Sequence, residues 1–507
     1  MSSSNEGIAP NAGRLLWAGF MAILAAGVGF SIRGGILGDW GIQFGFTQTE
    51  LGQITGGGLV GFGIVILIGA LLADIIGYGK LMILAFLCHF LSAALTLAAT
   101  PLFASSGKDA AFQCLYWGMF LFAIGNGLAE AVVNPLVATL FPKNKTHFLN
   151  ILHAGWPAGL IVGGLASFAM VGKVRWEIQM SLFLIPVVLY GLMCMGQRFP
   201  KSEASVHGVS FGSMLSEFAA PFLLLLLFIH AMVGYVELGT DSWISSITGG
   251  IMASKEKGLL LFVYTSALMF ILRFFAGPIV HRISPIGLLF VSACFGAIGL
   301  TLLSKADTVM LCVVAASVYG IGKTFLWPTM LGVVSERFPR GGAITIGAIG
   351  GVGMLSAGLL GGPGIGFKQD YFASADLKEK SAATYERYKA DGTNSFLTFK
   401  TVGLNSAKVG ILADGGKELG RTTEVLAKEK RTDANHEKLV AWWAGAGATA
   451  ATDKPVVDAA GLVGGKSALR VTAFVPMVMA VLYLLILIGF KAKGGYKAVS
   501  LDEGKKA

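Results

Sequence analysis

Residues 111–138, AFQCLYWGMFLFAIGNGLAEAVVNPLVA, decide the fold. The stretch is long and apolar enough to cross a bilayer. Its single charge is Glu130, followed closely by Asn134 and Pro135. A carboxylate at that depth costs at least ~2.5 kcal/mol even on lenient insertion scales, so it must face a polar cavity or a partner. Residues 309–334 repeat the pattern with opposite sign: Lys323 lies five residues before Pro328, as Glu130 lies five before Pro135.

The rest of the chain fits a membrane setting. Hydrophobic residues make up 54% of it, charged residues 13%, and the mean hydropathy is +0.70, which excludes an ordinary soluble protein. Stretches of about 20 apolar residues fall near 14–37, 51–76, 80–100, 111–137, 147–171, 177–196, 218–247, 258–280, 285–303, 308–334, 341–366 and 469–491. The expected fold is therefore an all-α polytopic membrane protein with twelve transmembrane helices. No cleavable signal peptide is evident, because the first span begins after Arg14 and no A-x-A-like site precedes a soluble domain. Lys and Arg are more frequent in the short loops and tails that share a side with the termini, which predicts a multi-pass cell (inner) membrane protein with both termini cytoplasmic. Anionic inner-leaflet lipid then accounts for the net charge of +10, and no nucleic acid is needed. The five cysteines lie within or beside spans without metal-ligand or redox spacing, so they read as packing residues, and no metal or other cofactor is expected. Glycine is abundant, and Gly56-Gly57-Gly58, Gly163-Gly164 and the run from 350 to 366 mark close helix contacts or sliding surfaces.

The two halves match. Ala70-Leu71-Leu72-Ala73-Asp74, with Gly77 and Lys80, ends the second span; Gly277-Pro278-Ile279-Val280-His281-Arg282, with Ser284-Pro285, ends the eighth. Gly127 and Gly320 each stand eight residues before the proline of their span. The domain plan is a six-helix bundle over 1–196, a cytoplasmic linker over 197–217, and a second six-helix bundle from 218–366 and 469–507. Such parallel repeats, with an acid and a base at equivalent depths, imply a transporter. Residues 367–468 break the pattern with charged, helix-compatible sequence, too long for a simple connection. This extracytoplasmic insert between helices 11 and 12 reads as a solvated helical appendage, or as a lid or partner-docking element with Trp442-Trp443 as its contact surface.

The paired loops resemble the G-x-L-x-D-R-x-G-R-R loop of the major facilitator superfamily, in degraded form. Within it, the chain is similar to the fucose:proton symporter family. The resemblance is carried by Glu130 with Asn134-Pro135, Leu149-Asn150 before HAGWPAGLIVGG, Gly234, Glu237 and Trp243-Ile244, the Arg273-to-Leu288 stretch, and Trp327-Pro328-Thr329. It implies a two-bundle carrier and proton-coupled import of a sugar or related solute. The family's acidic residue in the first helix has no counterpart: its place falls near Ile36, with Arg33 and Asp39 as the nearby charges, which speaks against fucose itself.

Two readings stand for each candidate residue. Glu130 and Lys323 form the proton-coupling pair, or a fixed ion pair joining the halves. Arg33 snorkels at the outer boundary, or points into the cavity to grip an anion or sugar hydroxyls. Glu237 and Asp241, four residues apart on one helix face, bind solute or a cation, or mark a helix end. Asn126, Asn134, Asn150, His153, Trp156 and Trp327 are direct ligands, since hydroxyl-rich solutes need amides and a flat ring, or they serve helix packing. Asp74, Arg273 and Arg282 are the gate candidates. His89 and His230 read as packing partners.

The sequence thus predicts a secondary active transporter acting as a monomer, with a small polar solute and a proton or sodium as partners. The alternatives are an organic-anion or drug carrier, favoured if Arg33 and Lys323 are cavity cations, and a transporter-like receptor that binds a partner through the insert. Nothing supports an enzyme: Gly361-Gly362-Pro363-Gly364 is helix-end material, not a phosphate cradle.

Overall fold

The computed structural model describes residues 8–46, 48–170, 173–428, 430 and 432–501. The first half comprises α1 (Ala12–Phe44), α2 (Glu50–Ile76), α3 (Tyr78–Ser106), α4 (Lys108–Leu140), α5 (Lys145–Met170) and α6 (Trp176–Cys194). The second begins with α7 (Pro221–Ile251), α8 (Lys255–Arg273) and α9 (Ala276–Lys305). It continues through α10 (Val309–Arg337) and α11 (Pro339–Lys380) and closes with α12, built from Ala450–Thr472 and Phe474–Ala492.

Eleven of the helical stretches among the described residues are long and apolar enough to cross a membrane. The eighth predicted span supplies α8, whose ends carry Lys255, Glu256, Lys257 and Arg273, together with the first residues of α9. The chain turns at Ser284, where φ is 65° and ψ 163°. Pro285 accounts for the extended ψ, because its ring disfavours the helical conformation in the residue before it. Spans eight and nine therefore separate where the sequence predicts.

Glycine contacts of the same kind hold each half together. In the first, α1 and α5 touch through backbone: a Cβ on Gly27 would lie 2.5 Å from the Trp156 carbonyl oxygen, and one on Gly159 2.3 Å from that of Leu24. In the second, α7 and α11 repeat the device, with a Cβ on Gly234 falling 2.0 Å from the Gly353 carbonyl oxygen. Without a hydrophobic force between helices in lipid, such close backbone approach is what makes association favourable. The halves meet where α2 packs on α11, with Gly347 against Ala70 and Gly63 against Leu355, and where α5 meets α8, with Gly164 against Val263. α1 runs unbroken through Gly34-Gly35, so no kink there redirects Arg33.

The first and last described segments lie at one end of the bundle, hereafter the terminal end: the Ile8 N–H donates to the Leu140 carbonyl, and that of Val499 to the Glu336 carbonyl. The linker sits there too, with Ala204 and Met214 packed on Ile344. The insert occupies the opposite end. Its expected boundaries fall inside helices. α11 continues through Gly361-Gly362-Pro363-Gly364 by way of a wide π-helical turn, Ala357–Gly361, and runs to Lys380. α12 begins at Ala450, well before its apolar part. These extensions pack against each other, with Gly464 on Gln369 and Ala373, and carry a small core of Leu377, Tyr385, Tyr388, Leu412, Val457 and Ala460. Trp442 and Trp443 pack on that core rather than offering a free contact surface. Arg387 clamps Asp453 beneath it at 2.5 Å. The insert is mainly helical and includes a short antiparallel hairpin, Asn394–Phe396 with Phe399–Thr401.

The glycine contacts set an expectation for stability. Gly159→Ala should cost about 1–3 kcal/mol, the usual range for overpacking, seen as a lower melting temperature in detergent. Gly34→Ala, where nothing lies within 4 Å of the added methyl, should show no such loss.

Candidate functional site

Two prolines prepare the centre of the molecule. A proline has no N–H, so it leaves the carbonyl four residues earlier without its helical partner. Pro157 frees the carbonyl of His153 in α5, and Pro328 frees that of Thr324 in α10, where the helix breaks between Lys323 and Leu326. Arg273, at the end of α8, takes both. Its Nη1 donates to the His153 oxygen at 2.5 Å and its Nε to the Thr324 oxygen at 2.8 Å. Its Nη2 donates to Glu237 Oε1 at 3.2 Å, in an ion pair whose side chains are only 1% and 3% exposed. Glu237 stands within a second π-helical turn, Tyr235–Gly239, which faces the one in α11 through Gly239 and Gly361. Arg273 therefore joins α7, α8 and α10 of one half to α5 of the other.

Glu130 connects to this point by a line of hydrogen bonds. Asn134 Nδ2 donates to Glu130 Oε2 at 3.3 Å, and Asn134 Oδ1 lies 2.8 Å from His153 Nε2. The His153 backbone carbonyl is the group that Arg273 grips. Glu130, Asn134, His153, Arg273 and Glu237 are all buried, and the guanidinium acts electrostatically on both carboxylates.

The expected pairing of Glu130 with Lys323 is not what this structure holds. Lys323 Nζ is 2.5 Å from Asp241 Oδ1, one turn beyond Glu237 on α7, and lies over the rings of Tyr319 and Phe262 at 5.5 and 5.7 Å. The reason is local: Asp241 belongs to the same half, so the ammonium is compensated without crossing the seam. The repeat relates Glu130 and Lys323 by position but does not choose their partners.

Arg33 also needs correction, since it neither snorkels nor enters the seam. It is buried inside the first half, donating to Ser92 Oγ at 2.7 Å and lying 4.0 Å over the Phe122 ring and 5.0 Å from that of Phe183. Asn126 bonds His89 at 2.9 Å, while His89 bonds Tyr190 at 3.0 Å, within this half; the Asn126 Nδ2 has no partner among the described residues. Asn150 bridges the halves instead, donating to Thr329 Oγ1 at 3.2 Å with its Oδ1 unpartnered. Trp327 packs on His230, ring centroids 4.7 Å apart, and neither its Nε1 nor the His230 ring nitrogens have partners among the described residues. Trp156 is half-buried against Phe30, 5.4 Å between centroids.

At the terminal end, Asp74 lies beside Gly342, where α11 begins, and its charge suits the positive end of that helix. Arg282 is exposed and makes no hydrogen bond or ion pair among the described residues, so it takes no part in the contacts seen at this end. The clasp is built from residues that the sequence reading missed. Lys145 binds Glu203 at 2.6 Å and the Ser335 carbonyl at 3.2 Å; Glu336 accepts from Thr146 Oγ1 at 2.6 Å and from Tyr496 at 2.7 Å. In the sequence, a loop acid and a loop base name no partner for each other.

Comparison with known proteins agrees with this architecture. The E. coli fucose:proton symporter FucP is 17% identical, with a TM-score of 0.57, covering 70% of this chain and 91% of its own. A bacterial homologue of the human lysosomal transporter Spinster, inward-facing and unoccupied, gives 13% identity and a TM-score of 0.61 over 94% of this chain and 97% of its own. The human organic anion transporter MFSD10 (TETRAN) gives 13% and 0.58, over 94% and 100%. At these identities the likeness establishes the fold. No curated relative matches the chain in sequence. Residues 19–362 match the sequence profile of the Major Facilitator Superfamily. With two thirds of its length inside that match and a two-half helical architecture around a polar seam, this chain belongs to the Major Facilitator Superfamily of membrane transporters.

Proposed function

We propose that this transporter carries a neutral, hydroxyl-rich solute, a sugar or polyol, together with a proton, and that Glu130 is the proton carrier. The observation behind the reading is the buried line from Glu130 through Asn134 and His153 to Arg273 and Glu237. It joins a carboxylate of one half to an ion pair of the other across the seam that alternating access has to open. Protonating Glu130 removes a negative charge that Arg273 feels from across that seam, so the hold between halves weakens when the carrier is loaded. Nearby, Trp327 Nε1, Asn150 Oδ1 and the His230 ring nitrogens supply unused donors and acceptors, and Phe30 with Trp156 supplies aromatic faces. Such a mixture suits a solute with both hydroxyl groups and an apolar face. Two proteins of similar fold are a fucose:proton and a proton:xylose symporter.

An acidic solute has weaker support. That reading relied on Arg33 and Lys323 as free cavity cations; Arg33 is engaged inside one half, and Lys323 is held by Asp241. The positive-inside rule supports a cytoplasmic terminal end, and symport with a proton entering down its gradient would then run as import.

In proteoliposomes with a labelled sugar panel, Glu130→Gln should retain exchange but lose accumulation driven by a pH gradient, since the amide mimics the loaded carboxyl; retained accumulation excludes the carrier role. Counterflow of an organic anion with no sugar flux would favour the acidic-solute reading instead. Asp241→Asn should destabilise the protein by about 3–5 kcal/mol, the usual cost of stranding one member of a buried pair. Combining it with Lys323→Met should recover most of the loss in a thermal-shift assay. Finally, Ser406→Cys, exposed in the insert, should react with an impermeant thiol reagent in intact cells; labelling only after permeabilisation would reverse the orientation.

A further inference from the structure

The hairpin of the insert hangs down along α11 toward the membrane. At its base, Gly403 rests on Asp370, 3.1 Å from an added Cβ. Near its tip, Phe396 lies on Gly364, 2.6 Å from an added Cβ, with its ring 6.0 Å from that of Phe367. From Asp370 to Gly364 is six residues of helix, a descent of about 9 Å toward the apolar part of α11. The turn residues Leu397 and Thr398 continue beyond Phe396 in that direction.

What the tip presents is apolar and uncovered. Leu397 is 75% exposed and Phe399 64% exposed. Phe399 pairs across the hairpin with Phe396, so the two share a face, and Phe399 overhangs the helix. Leu397 takes φ of 54°, a left-handed conformation in which a bulky side chain is disfavoured and glycine or asparagine is usual. In water, a strained leucine at full exposure would have nothing to recommend it. Just below Gly364, Leu359 and Leu360 are exposed on the surface that α11 turns to lipid, and Tyr371 is exposed above. The hairpin tip is continuous with that lipid-facing strip. Lys400, also exposed, stands one residue above Phe399, where an ammonium would meet headgroup phosphates.

We propose that Leu397 and Phe399 insert into the lipid leaflet at the insert end, anchoring the insert to the bilayer beside α11. The occupant of this apolar tip is lipid, not a second protein. The test uses the full chain in proteoliposomes, with bimane attached at Leu397→Cys and, as a reference in water, at Ser406→Cys. The unsubstituted chain is labelled in parallel so that reaction at native cysteines is subtracted. Lipids carrying a nitroxide near the headgroup should quench position 397 severalfold more than position 406, and aqueous iodide should do the reverse. Equal quenching of both positions by iodide would overturn the proposal, placing the tip in water. Protection of position 397 from both quenchers would overturn it as well, because the tip would then be covered by protein.

Discussion

Arg273 is the interaction on which the rest of the centre depends. Its planar fork meets two carbonyls and a carboxylate on three different helices, at distances between 2.5 and 3.2 Å. Neither carbonyl would be available in a regular helix; Pro157 and Pro328 release them, one from each half. A buried carbonyl without a partner is costly, and so is a buried guanidinium without acceptors. Placed together, the two liabilities cancel. Lysine could not substitute, because a single ammonium lacks the fixed, spread donors that reach three helices at once.

Much of the architecture was legible in the sequence because it follows from hydrophobicity and from proline. The separation of spans eight and nine at Ser284-Pro285 and the long helix that buries Glu130 are examples. Partners were less legible. The repeat relates Glu130 to Lys323 but is silent on which neighbour lies nearer, and Asp241 is nearer to the lysine. Arg33 was misplaced because a helical wheel cannot reveal that Ser92 and two phenylalanines make a pocket for it. Pro157 carried a readable signal, a freed His153 carbonyl, but its recipient is 120 residues away. The insert boundaries failed for a different reason: composition changes at the membrane surface, whereas the helices continue through it.

The two halves share their packing device and differ in their chemistry. Gly27 with Gly159 and Gly234 with Gly353 perform the same close approach at equivalent places. In the first half Arg33 is used internally, against aromatic faces and a hydroxyl; the second half spends two cations on Glu237 and Asp241 of one helix face. This division leaves Glu130 with a hydrogen bond from Asn134 and no ion-pair partner among the described residues.

The helical extension of α11 and α12, packed side by side, turns the insert into a lever. Helix from Gly366 to Lys380 rises about 20 Å beyond the apolar part of α11. From the second half, this arm reaches over to the first: Arg421, braced by Glu418, donates to the Gly41 carbonyl in the last turn of α1 at 3.2 Å. A hydrogen bond tolerates a few tenths of an ångström of stretch, so separating the halves at that end must break this catch. A displacement of this arm is thereby coupled to the packing of α11 on α2, at a distance from the polar centre.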